Sequence, residues 1–423
     1  MLTAKFNSII ILTVVLLVSS ACSALRPSAC INHHAFAYIG SDGNIYIYDV
    51  CNKKSAQITS DTQLRLSSGA TFSGNYSVTG DSWSPNGDYI LAKFRGLQDS
   101  VVLINTENRE KFSLGYFEYW NWSPTGEYAA LVSSGNNGYE SYRENIYVFD
   151  TNLGKEIYHD LGQAPYWPND RSLFFLRAKQ LGDRDLRVQE LWRRDFAVDG
   201  SGNSTLSTLK IESVNPPYLY ANKVSFSHDL KWAALFVPGL VDMSELRIFN
   251  FDTNQFLTQG TLPLPDGTDV TRKWTTDSDF DWSPVNSVLA FCNGGGGADD
   301  AYNFLYGGAL FLINEGELVT ITESKCGRTQ ISWSPNGDKV AYQNNIGGIS
   351  VVDLVGRLLF SSSNIQTKDS EDLKAQAGPW WSPDGTLISL VADNRICLAP
   401  IDEEITQLEF ECVVDGSMMA WKP

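Results

Sequence analysis

A tryptophan followed by a tight Ser-Pro turn recurs along this chain and limits its fold more than any other feature. The fuller copies are SWSPNGDYILAKF at 82–94, NWSPTGEYAALV at 121–132, DWSPVNSVLAFC at 281–292, SWSPNGDKVAYQ at 332–343 and WWSPDGTLISLV at 380–391. Two copies are degenerate. YWPNDRSLFFL at 166–176 lacks one turn residue, and SFSHDLKWAALFV at 225–237 has Phe226 at the tryptophan position. An eighth copy, MAWKP, stands at 419–423.

Each of the first seven copies is followed by a second apolar segment, such as NIYVFDT at 145–151 or ELRIFNF at 245–251. Most of these segments are apolar on both faces of a strand, which indicates that both faces are covered. Short antiparallel sheets stacked around an axis produce that arrangement. A period of roughly 40–60 residues with four short strands per unit is typical of a β-propeller. The sequence therefore predicts an all-β fold.

The two ends of the chain predict how the ring closes. The first unit starts directly at a second strand, AFAYIG at 35–40, and the segment SMMAWKP at 417–423 is a first strand with no later partner. Pairing the two gives eight four-stranded blades closed by strands from both termini, which hides the sheet edges. The predicted anchors at the ends of the eight first strands are Trp83, Trp122, Trp167, Phe226, Trp282, Trp333, Trp381 and Trp421.

These repeats resemble the WD-like repeat of the TolB-like propellers, which has a Trp-Ser-Pro-Asp-Gly signature. The resemblance covers the chain from Ala35 to Pro423 and implies a single TolB-like propeller domain over 35–423. It implies little about activity, because one fold carries many functions.

The loops are predicted to be unequal on the two faces of the disc. Turns from strand one to two and from three to four are short, as in SPNG and TNLGK. The two-to-three loops and the blade-to-blade connections lie on the other face, where insertions on a rigid scaffold often mark the binding side. The long segments assigned to that face are 61–79, 133–144, 178–189, 200–222, 262–280, 293–308 and 362–378.

The start of the chain is typical of an exported protein. Lys5 precedes the apolar run IIILTVVLLV at 9–18, which is shorter than a spanning helix needs, and small residues follow it. We expect residues 1–21 to be an export signal peptide and 22–34 an N-terminal tether. The sequence VSSAC resembles a lipoprotein box, which implies lipidation of Cys22; cleavage after Ala21 without lipidation remains the alternative.

Lipidation of Cys22 leaves six cysteines, an even number that can pair fully in an oxidising compartment. Positions in the predicted blades favour three pairings out of the 15 that six cysteines allow. The predicted disulfides are Cys30–Cys51, Cys292–Cys326 and Cys397–Cys412.

Composition and motifs argue against several classes of ligand and enzyme activity. The net charge of −17 makes nucleic-acid phosphates poor ligands. The four histidines show no zinc spacing, and the chain has no Gly-x-Ser-x-Gly nucleophile motif. Whether a carboxylate pair is catalytic is left open, because no motif identifies one. The sequence favours a non-catalytic protein without a cofactor, although calcium is kept as a hypothesis.

Two kinds of residue are candidate binding groups on the face that carries the long loops, called the loop-bearing face below. Acidic residues there offer oxygen ligands of the type calcium prefers, although their spacing matches no calcium loop and solvated acidic loops are the alternative. These are Asp277, Asp279, Asp299 and Asp300, with Asp281 at the end of the same acidic run. Aromatic residues offer a platform for a peptide or sugar, with packing between blades as the alternative. These are Tyr139, Tyr142, Tyr218, Tyr220, Trp274, Tyr302, Phe304 and Tyr306.

The sequence thus predicts an extracytoplasmic, lipid-anchored binding module, periplasmic or at the cell surface, that holds a protein or peptide partner of the cell envelope. We expect a monomer that contacts the membrane only through its N-terminal lipid. The alternative is a carbohydrate-binding protein or a carbohydrate-active enzyme with an acidic site at the central channel.

Overall fold

The structure is a computed structural model. It describes residues 34–65, 71–96, 99–133, 144–180, 187–196, 206–209, 223–238, 243–253, 255–257, 274–275, 279–292, 309–315, 317–344, 348–361, 365–366, 372–373, 375–401 and 408–423. Every regular element in these ranges is a β-strand. The described part of the chain contains no helix that is long and apolar enough to cross a membrane.

The strands in the first half of the chain mostly follow the predicted grouping of four per blade. In chain order they are β1 (Ala35–Ile39), β2 (Ile45–Asp49), β3 (Lys54–Gln57), β4 (Gln63–Arg65), β5 (Thr71–Ser73), β6 (Asn75–Ser77), β7 (Tyr89–Arg95), β8 (Ser100–Asn105), β9 (Lys111–Gly115), β10 (Tyr119–Trp122), β11 (Tyr128–Ser133), β12 (Asn145–Asp150), β13 (Lys155–Leu161), β14 (Gln163–Asn169), β15 (Ser172–Gln180), β16 (Arg187–Asp195) and β17 (Leu206–Leu209).

The second half continues in the same way. Its strands are β18 (Lys223–Phe226), β19 (Trp232–Pro238), β20 (Met243–Asn250), β21 (Gln255–Phe256), β22 (Trp274–Thr275), β23 (Asp279–Trp282), β24 (Val288–Cys292), β25 (Ala309–Asn314), β26 (Glu317–Trp333), β27 (Lys339–Asn344), β28 (Ile349–Asp353), β29 (Leu358–Ser361), β30 (Ile365–Gln366), β31 (Asp372–Leu373), β32 (Ala375–Trp381), β33 (Leu387–Ala392), β34 (Arg395–Pro400), β35 (Glu411–Asp415) and β36 (Ser417–Trp421).

These strands form eight antiparallel four-stranded blades, which confirms the predicted eight-bladed β-propeller. Blade 1 is β36-β1-β2-β3, blade 2 is β6–β9, blade 3 is β10–β13, blade 4 is β14–β17, blade 5 is β18–β21 and blade 8 is β32–β35. Blades 6 and 7 share one seven-stranded sheet, β23–β29. The hairpins β4-β5 and β30-β31 lie between blades 1 and 2 and between blades 7 and 8.

Blade 1 closes the ring with strands from both termini, as predicted. The last strand, β36, pairs with β1, so that Trp421 lies opposite Phe36 and Ala420 opposite Ala37. A second contact supports this closure, because His34 Nε2 lies 2.9 Å from Asp384 Oδ2 in blade 8. The closure therefore joins the beginning of the described chain, its end and the preceding blade.

Blades 6 and 7 are linked by one continuous strand where the sequence predicts two. The first part of β26 pairs with β25, and its last part pairs with β27, with Cys326 opposite Asn344. The register shifts between Cys326 and Ile331. The segment ELVTITESKCGRTQISW carries no Pro or Asn-Gly turn signal, so the chain passes from one blade to the next without a break.

The repeated turn is explained by a buried serine and a glycine. In blade 2 the Ser84 hydroxyl accepts a hydrogen bond from the Tyr89 N–H at 2.9 Å, and the Gly87 N–H donates to the Ser84 carbonyl at 2.8 Å. Gly87 has a φ of 74°, a left-handed conformation that favours glycine. The same serine bond recurs from Tyr128 to Ser123, from Trp232 to Ser227, from Lys339 to Ser334 and from Leu387 to Ser382.

The eight aromatic anchors are buried, and none of them is more than 8% exposed. Five of their indole N–H groups donate a hydrogen bond to a backbone carbonyl of the preceding blade. These bonds are Trp83 to Ala420 (3.0 Å), Trp122 to Asp81 (2.8 Å), Trp282 to Ser225 (3.1 Å), Trp333 to Asp281 (3.0 Å) and Trp381 to Ser332 (3.0 Å). Trp421 reaches blade 8 through a relay, donating to the Ser389 hydroxyl, which donates to the Trp380 carbonyl. Each bond ties one blade to the next.

The two degenerate repeats are the two places where this indole bond is missing. Trp167 Nε1 in blade 4 is buried without a hydrogen-bond partner in the described chain. Blade 5 has Phe226, which carries no donor, and aromatic packing replaces the bond. The Tyr166 ring stacks on Phe226 with centroids 4.6 Å apart. At the junctions of blade 3 with blade 4 and of blade 4 with blade 5, ring contacts of Trp167 with Tyr128 and of Phe226 with Tyr166 thus take the place of the indole bond.

Candidate functional site

A cavity of about 700 Å³ opens on the loop-bearing face where blades 8, 1 and 2 meet. This volume falls within the range of about 300–1,000 Å³ that is common for ligand sites. The loop-bearing face is the side that carries the two-to-three loops and the blade connections, and the opposite side is the tight-turn face. Blade 1 contributes Ile39, Gly40, Ser41, Gly43, Ser417 and Met418; blade 2 contributes Asn75, Tyr76, Ser77 and Arg95; blade 8 and its connection contribute Asp393, Asn394, Asp415 and Gly416.

The cavity is open because blades 1 and 8 have short loops on this face. Asp393 and Asn394 alone join β33 to β34, and both have positive φ, 48° and 56°, as in the tight hairpin turns that accept Asp and Asn. In blade 1 the loop from Gly40 to Asn44 is held by Asp42, which accepts hydrogen bonds from the Asn44 N–H and side-chain amide. Short, well-bonded loops leave the ends of the inner strands uncovered.

The floor of the cavity includes a bulge in the closing strand. The pairing of β36 with β1 shifts register between Tyr38 and Ile39, and Met418 at this point has a φ of 56°. Its side chain is 46% exposed. A non-glycine residue in the left-handed region is strained, and such strain clusters at functional sites.

Arg95 lies at the end of β7, opposite Asn75, and borders a second cavity of about 300 Å³ between blades 2 and 3. Lys93 faces the same side of β7, since strand residues two apart share a face. Its ammonium lies 6.0 Å from the centre of the Trp120 ring. Burial lowers the pKa of Lys93, the Arg95 charge lowers it further, and Glu118 opposes both effects. Arg95 therefore lines both cavities, and Lys93 lines the second cavity beside it.

Beneath the cavity, Tyr76 is fixed by an internal acid. Its hydroxyl donates to Asp61 Oδ1 at 2.9 Å, and Lys111 Nζ donates to the same oxygen at 2.7 Å. Burial, followed by the nearby Asp61 charge, raises the pKa of Tyr76. Although burial alone raises the pKa of Asp61, the bonds from Lys111 and Tyr76 outweigh it and lower that pKa. Because Tyr76 and Lys111 both bond to Asp61, this network holds the cavity wall in place and leaves no unpaired charge for a ligand.

Most of the site residues predicted from sequence fall outside the described residues. These are the lipidation candidate Cys22, Cys30, the acidic residues Asp277, Asp299 and Asp300, and the aromatic residues Tyr139, Tyr142, Tyr218, Tyr220, Tyr302, Phe304 and Tyr306. Only the strand positions of Asp279 and Trp274 are described. Asp279 begins β23, and Trp274 lies in β22, which pairs with β20 at Ser244. The predicted aromatic platform and calcium ligands therefore remain predictions.

One predicted disulfide, Cys397–Cys412, is present and joins opposite positions of β34 and β35. Cys292 is also disulfide-bonded and lies at the end of β24. Its predicted partner, Cys326, has a described strand position in β26, whereas the pairing itself stays a prediction. The partner predicted for Cys51 is Cys30, outside the described residues.

One long segment is divided differently from the prediction. The segment 200–222 contains β17, the fourth strand of blade 4, so the residues before β17 connect strands three and four. That connection belongs to the tight-turn side of the blade. Assigning all of 200–222 to the loop-bearing face is therefore wrong, because the short, weakly apolar stretch LSTL carries little sequence signal for a strand.

The sequence analysis did not predict the residues that line the cavity, because it placed the binding site on the long loops and the cavity lies beside short ones. Its charged groups are Arg95, Asp393 and Asp415, and each stands at a strand end next to a short connection. A usable signal was present: the neighbouring blades 7, 8, 1 and 2 all have two-to-three loops of five residues or fewer. Adjacent short loops among long ones predict a depression. In the described part of the chain, no group of three His, Cys, Asp or Glu side chains is placed to hold a metal ion.

Comparisons with known proteins support the fold and leave the activity open. No protein-family model matches the chain. The chain is 27% identical over 119 residues to dipeptidyl-peptidase 5 of Porphyromonas gingivalis, a match that covers 23% of this chain and 17% of the peptidase. The chain thus spans less than a fifth of the length of that curated relative.

Solved structures that match include a eukaryotic initiation factor, with a TM-score of 0.50 and 13% identity over 92% of this chain and 99% of that one. A prolyl endopeptidase matches with a TM-score of 0.47 and 10% identity, over 80% of this chain and 49% of its own. TolB from Acinetobacter baumannii matches with a TM-score of 0.36 and 14% identity, over 92% and 66%. At these identities the likeness is one of fold, and the class that fold and topology define is the β-propeller.

Proposed function

We propose that this protein is a non-catalytic, extracytoplasmic binding module of the TolB-like propeller type, which holds a protein or peptide partner on its loop-bearing face. The observation that carries the proposal is the cavity at blades 8, 1 and 2, on the side that the loop distribution predicts for binding. Rigid scaffolds of stacked sheets commonly present their binding groups in this way. The polar rim and the exposed Met418 give the site both hydrogen-bonding and apolar character.

The proposed location is outside the cytoplasm, with the chain tethered through a lipid on Cys22. The leader sequence and the VSSAC box support this location. The disulfide Cys397–Cys412 agrees with an oxidising compartment, where such bonds persist. Metabolic labelling with a fatty acid tests the anchor: wild-type protein should be labelled and recovered with membranes, whereas Cys22→Ser should lose the label. Equal labelling of both would contradict lipidation at this residue.

Affinity capture of the intact protein from gently solubilised envelopes tests the binding function. A stoichiometric protein that co-elutes in repeated captures is the expected result. A parallel capture with a calcium chelator tests the acidic loops, since loss of the partner on chelation would support a calcium site there. Absence of a partner in both captures would contradict the proposal.

Carbohydrate binding is the second candidate, and one observation favours it. The cavity wall carries the carboxylates of Asp393 and Asp415 and the side-chain amides of Asn75 and Asn394, groups that bind sugar hydroxyls. A screen of envelope oligosaccharides against the intact protein tests this candidate directly. Saturable sugar binding without a protein partner would establish it in place of the first.

A further inference from the structure

Charges of opposite sign stand on the two sides of the cavity defined above. Blade 2 supplies the guanidinium of Arg95, and blade 8 supplies the carboxylates of Asp393 and Asp415. Blade 1 lies between them and contributes neutral groups, among them Ser417 and Met418. The cavity therefore has a cationic end and an anionic end separated by the width of one blade.

These three charged side chains have no hydrogen bond or ion pair with any residue that the structure describes, and all three are exposed. Neighbouring acids differ in this respect. Asp42 accepts bonds from Asn44 and Tyr46, and Asp61 accepts from Tyr76 and Lys111. The internal acids hold loops and walls in place, whereas Arg95, Asp393 and Asp415 remain available to a ligand.

The dimensions suit a short chain. A sphere with the volume of the cavity is roughly 11 Å across, which is the length of about three extended residues at ~3.3 Å per residue. A guanidinium is the group best suited to bind a carboxylate through two parallel hydrogen bonds. Carboxylates in turn bind an ammonium group through charge-assisted hydrogen bonds.

We propose that this cavity binds a short peptide with free ends, its carboxylate at Arg95 and its ammonium at Asp393 and Asp415. This inference rests on the proposed binding function and specifies its ligand. Met418, exposed on its bulge between the two ends, contacts the central side chain of the peptide, a role that suits a flexible and polarisable thioether.

Ligands with one kind of charge fit less well. An anion alone meets two carboxylates and a protein of net charge −17. A cation alone leaves the guanidinium of Arg95 without a partner of opposite charge. A neutral sugar can hydrogen-bond to all three charged groups but supplies no opposite charge to any of them. A zwitterion pairs both ends at once.

Calorimetric titration of the intact protein with trialanine tests the inference, with N-acetyl-trialanine and trialanine amide as matched ligands. Saturable binding of trialanine is expected, with an affinity roughly tenfold or more lower after either end is blocked, because each block removes a charge-assisted bond. The affinity should also fall as salt is raised, since the charged groups are exposed. Equal binding of all three ligands, or no binding of trialanine, would overturn the inference.

Three variants locate the site. Arg95→Gln should weaken trialanine binding about tenfold or more and lose the preference for a free carboxylate, while Asp393→Asn with Asp415→Asn should lose the preference for a free ammonium. Asn tolerates the left-handed φ of residue 393, so the turn is kept. Arg171→Gln, in the one-to-two turn of blade 4 on the tight-turn face, is the matched control and should bind like wild type. Thermal unfolding of each variant checks that the fold is retained.

The outcomes separate this inference from the broader function. If a captured protein partner depends on Arg95 and Asp415 but no short peptide binds, the peptide ligand is refuted and the binding function stands. If an envelope oligosaccharide binds in place of trialanine and is lost in the same variants, the ligand class is wrong and the cavity is a sugar site. If Arg95→Gln leaves trialanine binding unchanged, the peptide site is refuted at this cavity.

Discussion

Replacing two anchor tryptophans by phenylalanine measures what the bond between blades contributes. In blade 8, Trp381 Nε1 donates to the Ser332 carbonyl of blade 7 at 3.0 Å. In blade 4, Trp167 Nε1 is buried with no partner in the described chain. Both side chains are largely buried, so both substitutions remove a similar volume from the core. Only the first substitution removes a hydrogen bond, and the pair therefore forms a matched comparison.

The expected loss in the free energy of unfolding differs between the two variants. Lost packing costs about 1–2 kcal/mol in each variant, as for partial truncation of a large core side chain. Trp381→Phe additionally leaves the Ser332 carbonyl without its indole donor, which costs about 1–2 kcal/mol more. Trp167→Phe instead removes an unpaired buried N–H, whose desolvation costs about 1–3 kcal/mol in the wild type. We expect a total loss of about 2–4 kcal/mol for Trp381→Phe and a change within about 1 kcal/mol for Trp167→Phe.

Urea unfolding followed by far-ultraviolet circular dichroism, with the disulfides kept oxidised, measures both variants against wild type. The midpoint should fall clearly for Trp381→Phe and little for Trp167→Phe, at an unchanged dependence on urea concentration. Equal losses at the two sites would refute the reasoning, because they would show that the indole bond adds nothing beyond packing.

Three further predictions follow from the same structure. Burial alone raises the pKa of Asp384, but bonds from the backbone and side chains around it, with a histidine charge, lower that pKa to about 2. Its stabilising effect is therefore present above about pH 4 and lost as the pH falls toward 2, so Asp384→Asn should cost roughly 1–2 kcal/mol at neutral pH and much less at pH 2 in urea titrations. Gly337→Ala should cost more than Gly385→Ala in thermal unfolding, because both have positive φ but only the first added Cβ would clash with the neighbouring blade's turn. Replacing Cys397 and Cys412 together by alanine should lower stability by about 3 kcal/mol, since the bond closes a 15-residue separation; an unchanged urea midpoint would contradict this estimate.

The repeat could be predicted from the sequence because its turn is specified by residues that lie within five positions of each other. A buried serine bonds the N–H five residues later, and a glycine follows at the left-handed position, so Ser84 and Gly87 specify their turn without help from distant residues. The closure was also readable, since an unpaired second strand at Ala35 and an unpaired first strand ending at Trp421 require each other. The number of blades followed from these two facts.

The cavity was not readable in the same way, because it arises between blades. Arg95 and Asp415 are 320 positions apart in the chain, and no local pattern marks either as a ligand group. The indole bonds were hidden for the same reason, since the acceptor of Trp381 is a backbone carbonyl whose position depends on how two blades pack. Loop length was the available guide, and it pointed to the face on which the cavity opens but toward segments away from the opening.

Quantitative capture with loop-face and control variants tests the central claim that this face binds the partner. The loop-face variant combines Arg95→Gln with Asp415→Asn, and the control combines Arg171→Gln with Asp252→Asn in turns of the tight-turn face, which changes the charge equally. The account predicts that wild type and the control retain the same stoichiometric partner and that the loop-face variant loses it. Equal retention by all three proteins, each shown to be folded, would place binding elsewhere and contradict the account.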